Sequence, residues 1–161
     1  MGNLILIKHS LPEMIPNLPA SQWQLSKKGR LRCKPLAEKL ACYSPDCIIS
    51  STELKSIETA QIVADYLHLT FQIAKGLQEH DRSNVDWGST KQFEEQIMRF
   101  FKYPQNLMMG KETAAQAHAR FTQAVTSVIE KHPSRNIAIV AHGTVITLLV
   151  AKVVGLDPFS F

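Results

Sequence analysis

The chain has 161 residues, of which 45% are hydrophobic and 20% are charged. These values are typical of a soluble globular protein and predict a single domain over residues 1–161. The formal net charge of +4 at pH 7 is only mildly basic. The most basic stretch has no aromatic residues between its cations, which argues against a nucleic-acid partner: Lys27, Lys28, Arg30, Arg32 and Lys34.

The cysteines and the hydrophobic segments exclude further classes of protein. The three cysteines form no C-x-x-C pair, so the sequence predicts neither a zinc site nor a disulfide framework, but reduced thiols in a cytoplasmic protein. Residues 137–156 approach the roughly 20-residue length of a membrane-spanning helix. His142, Gly143 and Lys152 interrupt that segment, and a strand, a turn and a helix explain it better. We therefore expect no membrane partner.

The first half of the chain predicts two strands and two helices. Residues 4–7 are four consecutive apolar residues, typical of a strand buried on both faces. A proline-rich loop follows over residues 10–24. Ser26 is a good N-cap for a helix over residues 27–41, in which Pro35 predicts a kink or a later start. The apolar stripe of this helix is predicted to be Leu31, Leu36, Ala37 and Leu40. A short strand over residues 47–50 and a helix over residues 54–67 come next.

The second half continues the alternation of strands and helices. Residues 71–73 read as a third strand, and residues 76–88 are irregular. Helices are predicted over residues 91–101 and 112–131, a strand over 137–141 and a last helix over 145–154. This order predicts an α/β fold, a three-layer α/β/α sandwich with a mainly parallel sheet.

Two of the predicted strands end in a histidine. His9 follows the first strand and His142 follows the strand over residues 137–141. Ligand sites in open α/β sheets lie outside the carboxyl ends of the strands. If these two strands are neighbours, the two imidazoles lie side by side at such a site.

Positive groups surround the same predicted edge of the sheet. Gly143 and Thr144 open a helix directly after a strand, where free backbone N–H groups and the helix dipole attract anions. Lys55 falls in the first turn of the helix that follows the second strand, and Lys8 adjoins His9. Histidines, lysines and helix N-termini at one edge indicate a phosphate pocket with a nucleophile.

Four segments of the sequence, in chain order, resemble those of the histidine phosphatase superfamily, the phosphoglycerate mutase-like fold. That family opens with a strand and Arg-His-Gly, matched here by residues 4–10. A Leu-Ser/Thr-x-x-Gly segment is matched by residues 25–29. A Ser-x-x-x-Arg-x-x-x-Thr-Ala segment is matched by residues 51–60, and the closing strand-His-Gly by residues 139–143. The resemblance covers nearly the whole chain.

The resemblance implies a phosphatase acting through a phosphohistidine, without metal or other cofactor. His9 is then the nucleophile, and His142 stabilises charge on the transferring phosphoryl group. Glu79 occupies the place of the family's general acid, with Asp81 and Asp86 as alternatives. The implied partner is a small phosphorylated substrate or a phosphoprotein. The residues expected to bind phosphate are Lys8, Lys55, Ser10, Gly143 and Thr144.

The chain departs from the family pattern in ways that leave a second function open. Lys8 and Lys55 stand where the family has arginines, and Ser10 stands for a glycine. Arginine holds phosphate with a planar, two-pronged fork, whereas lysine supplies a point charge. A catalytically weak or inactive relative that binds phosphorylated ligands is therefore the alternative, and a phosphoglycerate mutase is a weaker one. The family also usually adds a strand after the last helix, which this chain is expected to lack.

Overall fold

Four parallel strands form the middle layer of the computed structural model, which describes residues 2–85 and 89–156. In chain order they are β1 (Leu4–Lys8), β2 (Cys47–Ser50), β3 (Phe71–Ile73) and β4 (Ile137–Ala141). Their order in the sheet is β1-β4-β2-β3, and all three neighbouring pairs are parallel. The first and last strands of the chain are therefore neighbours, as the argument about the two histidines requires.

Helices cover both faces of the sheet, which confirms the predicted three-layer α/β/α sandwich. They are α1 (Lys27–Ala41), α2 (Leu54–Leu67), α3 (Thr90–Lys102), α4 (Ala114–Lys131) and α5 (Gly143–Val154). Alternate residues of β4 point to opposite faces. Ile137, Ile139 and Ala141 pack with α4 and α5 in one hydrophobic core. Ala138 and Val140 pack with α1 and α2 in the other.

Local sequence signals explain where several helices begin. The Ser26 side chain accepts a hydrogen bond from the backbone N–H of Gly29 at 3.0 Å, which caps α1 as predicted. Ser89 and Thr113 each form a capping box with the glutamine three residues on, Gln92 and Gln116, at the starts of α3 and α4. A 3₁₀ helix at Ala20–Gln22 lies within the loop for which the sequence predicted no element.

One prediction about burial is wrong, and another holds only in part. Leu31 was placed on the buried stripe of α1, but 77% of its surface is exposed. The buried positions of α1 are instead Gly29, Cys33, Ala37 and Leu40, because Gly29 packs under the chain at residue 11 and sets the rotation of the helix. The first strand was expected to be buried on both faces. Its two faces do pack against the two cores, Leu6 on one side and Ile5 and Ile7 on the other. Only Ile7 is fully buried, because β4 pairs with one edge of β1 and no described strand covers the other.

The predicted and observed ends of the helices and strands differ by at most two residues. The helix over 27–41 passes through Pro35 without a break in its assignment. The fourth helix begins at Ala114 rather than at 112, and the last begins at Gly143 rather than at 145. Within the described residues, no helix combines the length and apolarity needed to cross a membrane.

Candidate active site

Two imidazole rings meet where β1 and β4 end. Lys8 pairs with Ala141 in the parallel register, so His9 and His142 are the next residues on neighbouring strands. The backbone N–H of His9 donates to the Ala141 carbonyl oxygen at 2.9 Å, which extends the pairing by one residue. The ring centroids lie 5.1 Å apart with their planes inclined by 58°. The sequence predicted this juxtaposition from the two strand ends.

The hydrogen bond of His9 determines which ring nitrogen is available for chemistry. Nδ1 lies 2.7 Å from the carbonyl oxygen of Ser10. Since a carbonyl oxygen only accepts, Nδ1 carries the hydrogen and Nε2 of the neutral ring holds a lone pair. Burial lowers the pKa of His9, so the ring is neutral at pH 7. These features are those of a nitrogen nucleophile.

His142 is fully buried beside this ring. Its Nε2 lies 2.8 Å from the Ser51 hydroxyl oxygen and 3.6 Å from Glu53 Oε1. Nδ1 is buried and has no hydrogen-bond partner among the described residues. Burial lowers the pKa of His142 to about 3, so the ring is neutral in the free protein.

Glu79 comes from the irregular segment after β3, and its carboxylate caps the N-terminus of α5. Oε2 accepts from the backbone N–H of Thr144 at 3.1 Å, and Oε1 accepts from that of Val145 at 3.3 Å. Oε1 also accepts from the N–H of His80 at 2.9 Å. The predicted anion site at the start of this helix therefore holds the carboxylate of Glu79.

The alternative acids are placed differently. Asp81 is exposed, and its Oδ1 accepts from the backbone N–H of Ser83 at 3.0 Å. Hydrogen bonds from Ser83 lower the pKa of Asp81, so its carboxyl is ionised near neutral pH and seldom holds a proton to donate. Asp86 lies outside the described residues.

Lys55 is buried in the first turn of α2 and is bound on two sides. Its Nζ lies 2.6 Å from the carbonyl oxygen of Ala20 and 2.6 Å from Glu53 Oε2. An ammonium group has three hydrogens, so one is left for a ligand. The contact to Ala20 also ties the loop over residues 10–24 to this helix.

Glu53 is a site residue that the sequence analysis missed. Its side chain is only 8% exposed, and besides Lys55 it binds the backbone N–H of Glu79 through Oε1 at 2.8 Å. Residues two apart on a helix do not face each other, so a Glu and a Lys at this spacing predict no pair. Glu53 is the N-cap of α2 with an extended backbone, and this conformation turns its carboxylate back towards Lys55.

The remaining predicted phosphate-binding residues lie around the two rings. Lys8 is exposed, and its Cδ and Cε lie 3.6 Å from the point where a Cβ on Gly143 would be. Ser10 uses both of its hydrogens inside the protein. Its backbone N–H donates to Thr59 Oγ1 at 3.0 Å, and its hydroxyl donates to the Gly29 carbonyl oxygen at 2.8 Å. Ser10 thus joins the end of β1 to α1 and α2.

Arg120 is a second residue that the sequence did not reveal, and it fixes the segment that carries Glu79. Its guanidinium donates to the carbonyl oxygens of Gly76, Gln78 and Glu79 and to both carboxylate oxygens of Glu112. All five N–H groups are therefore used. The sequence gives no sign of this role, because the carbonyl groups that Arg120 binds lie in the segment after β3. Only the fold brings that segment against α4.

These residues line an open cleft of about 2960 Å³. One wall is the loop over residues 10–24, and the other comes from α3 and the segment after β3, including Phe93, Ile97 and Phe101. His9, Lys8 and Gly143 lie at the cleft, whereas His142 is buried behind them. Among the described residues, no three side chains of the His, Cys, Asp and Glu types are arranged to hold a metal ion.

A family model described as the histidine phosphatase superfamily, branch 1, matches residues 17–161. The chain belongs to the histidine phosphatase superfamily. The matched range begins after His9, so the position of this histidine rests on the pairing of β1 with β4. The predicted membership of this family is confirmed, by a match that covers three of the four segments.

One curated relative is the uncharacterized phosphatase PhoE of Bacillus subtilis. It is 28% identical over 134 residues, which cover 83% of this chain and 66% of PhoE. The chain thus spans slightly less than two thirds of that protein.

Solved structures of histidine phosphatase fold agree over almost the whole chain. Bacillus stearothermophilus YhfR superimposes with a TM-score of 0.80 at 22% identity, covering 100% of this chain and 85% of that one. A mycobacterial glucosyl-3-phosphoglycerate phosphatase gives 0.79 at 20% identity, covering 96% and 80%. A phosphoserine phosphatase of Entamoeba histolytica, in complex with 3-phosphoglyceric acid, gives 0.74 at 18% identity, covering 98% and 82%.

The buried ion pair between Glu53 and Lys55 gives the first testable prediction, which concerns stability. Removing one partner of a buried pair leaves the other charge without compensation and typically costs about 3–5 kcal/mol. We expect Glu53→Gln to lower the free energy of unfolding by that amount, measured by urea denaturation. The matched control is Arg30→Gln, which breaks the more exposed Arg30–Glu58 pair of 2.7 Å and should cost about 1 kcal/mol or less. Equal losses in the two variants would contradict the prediction.

Proposed function

We propose that this chain is a phosphatase that hydrolyses a phosphomonoester through a phosphohistidine on His9. The observation that carries the proposal is the position of His9. Its Nε2 lone pair is available beside His142, at the edge of the sheet where the N-terminus of α5 binds the carboxylate of Glu79. A nucleophile adjacent to an anion site is the arrangement that phosphoryl transfer requires.

In the first step, Nε2 of His9 attacks phosphorus and the bond from phosphorus to the ester oxygen breaks. The leaving oxygen takes a proton from the carboxyl group of Glu79. In the second step, Glu79 accepts a proton from water as the water oxygen attacks phosphorus. The bond between nitrogen and phosphorus breaks, and inorganic phosphate leaves with His9 restored.

The remaining site residues hold the phosphoryl group. Its oxygens take over the backbone N–H groups of Thr144 and Val145, from which the Glu79 carboxylate turns towards the leaving group. Lys55 contributes its remaining N–H, and Lys8 contributes charge above Gly143. His142 donates from its unpartnered Nδ1 once the dianion beside it favours protonation. Positively charged groups fixed in a partly buried site stabilise the transition state without reorganisation.

The proposed substrate is a small phosphorylated molecule, with a phosphorylated protein side chain as the other possibility. Two structural neighbours are named as phosphatases of glucosyl-3-phosphoglycerate and of phosphoserine, and the open cleft has room for a leaving group of comparable size. We further propose that the protein acts in the cytoplasm, where its free cysteines remain reduced: Cys33, Cys42 and Cys47.

A phosphate-binding protein without turnover is the second candidate, and one observation favours it. The charge of Lys55 is compensated by Glu53 at 2.6 Å, and lysine cannot align phosphorus as the two-pronged arginine does. Misalignment by about 1 Å can lower a rate roughly a hundredfold.

The test of the proposed function is hydrolysis of p-nitrophenyl phosphate by the purified protein, followed by a panel of phosphorylated metabolites to find the preferred ester. We expect release of inorganic phosphate with steady turnover, because the site contains a nucleophile and a proton donor. Inorganic phosphate that binds without any hydrolysis of the panel would support the binding protein instead.

A further inference from the structure

We propose that Arg82 is a further phosphate-binding residue of this site, and that its guanidinium supplies the planar fork which Lys8 and Lys55 lack. The inference rests on the proposed function, since it assigns another contact to the same phosphoryl group. It is carried by the position of Arg82 relative to Glu79 and α5, by its hydrogen-bonding capacity, and by its packing on Phe93.

The carboxylate of Glu79 indicates where a bound phosphoryl group meets Arg82. Glu79 Oε2 accepts from the backbone N–H of Thr144 at 3.1 Å and lies 3.5 Å from Arg82 Nη2. One anionic oxygen therefore faces both the N-terminus of α5 and the guanidinium. A phosphoryl oxygen that replaces this carboxylate oxygen at the helix N-terminus faces the same two groups.

Among the described residues, none accepts a hydrogen bond of ordinary length from the Arg82 guanidinium, in contrast to the other arginine near Glu79. Arg120 uses all of its N–H groups within the protein. Within the described part of the chain, Arg82 has only the 3.5 Å ion pair with Glu79, which is too long for a good hydrogen bond. Arginine with open donors opposite an anion site is suited to two-pronged binding of phosphate.

The environment of Arg82 holds its guanidinium at the cleft. The central carbon of the guanidinium lies 5.3 Å from the centroid of the Phe93 ring, and the Arg82 side chain is 23% exposed. A cation over an aromatic face is attracted to it, and more strongly when water is partly excluded. This contact holds the guanidinium between Phe93 on the cleft wall and the carboxylate of Glu79.

Arg82 can make a two-pronged contact to phosphate, which Lys8 and Lys55 cannot make. Lys55 has one N–H left after binding Ala20 and Glu53, and a single ammonium cannot grip two phosphate oxygens in one plane. Arg82 comes from the segment after β3 rather than from β1 or α2. The fork thus comes from the segment that carries the proposed acid, Glu79.

The experiment separates a contact to phosphate from an effect through Glu79. Arg82→Gln and Arg82→Lys are compared with the parent on p-nitrophenyl phosphate, whose leaving group is good, and phenyl phosphate, whose leaving group is poor. Competitive inhibition by inorganic phosphate and its equilibrium binding are measured in parallel. The control is Arg99→Gln, an exposed arginine in the last turn of α3, which should leave every value unchanged.

We expect Arg82→Gln to lower kcat/KM roughly 10- to 100-fold for both esters equally, since a charge-assisted hydrogen bond is worth about that factor. Binding of inorganic phosphate should weaken by a similar factor, and Arg82→Lys should restore only part of the loss. A loss confined to phenyl phosphate, with phosphate binding intact, would overturn the proposal and make Arg82 a partner of Glu79 alone. Unchanged kinetics and binding would overturn it as well.

A failure of the proposed phosphatase function gives a different result from a failure of the proposed role of Arg82. If the parent protein hydrolyses neither ester, the phosphatase proposal fails, and equilibrium binding of inorganic phosphate still decides the role of Arg82. Weaker binding in Arg82→Gln then supports the contact, and equal binding in parent and variant rejects it.

Discussion

The His9→Ala variant is expected to lose phosphatase activity by roughly 10⁴–10⁶-fold, the range seen when one residue of a catalytic triad is removed. No other described side chain combines an available imidazole lone pair with a position at the edge of the sheet beside α5. The residual rate should come from binding and orientation alone. Turnover is measured with p-nitrophenyl phosphate, and His118→Ala on α4, away from the cleft, is the control.

Labelling identifies the intermediate directly. Protein quenched during turnover of a ³²P-labelled ester should retain the label in base and lose it in acid, because phosphoramidates are acid-labile. His9→Ala should carry none. Equal labelling of parent and variant would place the phosphoryl group on another residue and contradict the assignment.

The pH dependence of kcat/KM is expected to follow the ionisation of the His9 ring. Burial lowers the pKa of His9, and only the neutral ring has a lone pair on Nε2. Protonation of His9 should therefore reduce kcat/KM only at pH values below about 6.5, the ordinary pKa of histidine. A pH profile of kcat/KM measures the position of this acid limb.

Glu79→Gln is expected to slow phenyl phosphate roughly 10²–10⁴-fold, the usual contribution of a general acid, and p-nitrophenyl phosphate far less. Only the poorer leaving group needs a proton as its bond to phosphorus breaks. The variant is a close match in shape, and its amide oxygen can still accept from one N–H of α5. Rates for a series of aryl phosphates measure the difference as a steeper dependence on the leaving group.

The control for Glu79 is Asp81→Asn, which removes the neighbouring exposed carboxylate. It should leave the leaving-group dependence unchanged, because hydrogen bonds from Ser83 hold the pKa of Asp81 down. An equal loss for good and poor leaving groups in Glu79→Gln would indicate that Glu79 acts on binding or on the structure of the segment. A steeper dependence in Asp81→Asn would transfer the acid to Asp81.

Local sequence patterns predicted most of the fold. Strands β2, β3 and β4 and helix α2 begin and end where the sequence placed them, because turns or changes in polarity mark both ends of each apolar pattern. The pairing of β1 with β4 then brings His9 beside His142. The errors concern relations between elements: the rotation that exposes Leu31 and the edge position of β1 depend on what packs beside them, which periodicity does not contain.

The supporting residues of the site were harder to predict than the two histidines. A histidine at the end of a buried strand can be recognised from the apolar residues that precede it in the sequence. Glu53, Arg82 and Arg120 make contacts that only the folded chain reveals, and each looks like ordinary surface charge in the sequence. Their roles follow only from tertiary geometry: a turned-in N-cap, an aromatic surface under a guanidinium, and carbonyl groups gathered against α4.

The ion pair between Glu53 and Lys55 also limits how this site can evolve. A mutation of Lys55 to arginine alone must fit a longer group between the Ala20 carbonyl and the Glu53 carboxylate, which now enclose an ammonium. A mutation of Glu53 alone leaves a buried cation unpaired. Each single substitution is expected to destabilise the site, so the effects of substitutions at the two positions are coupled. The residue that fits at position 55 therefore depends on its neighbour two residues away as well as on the reaction.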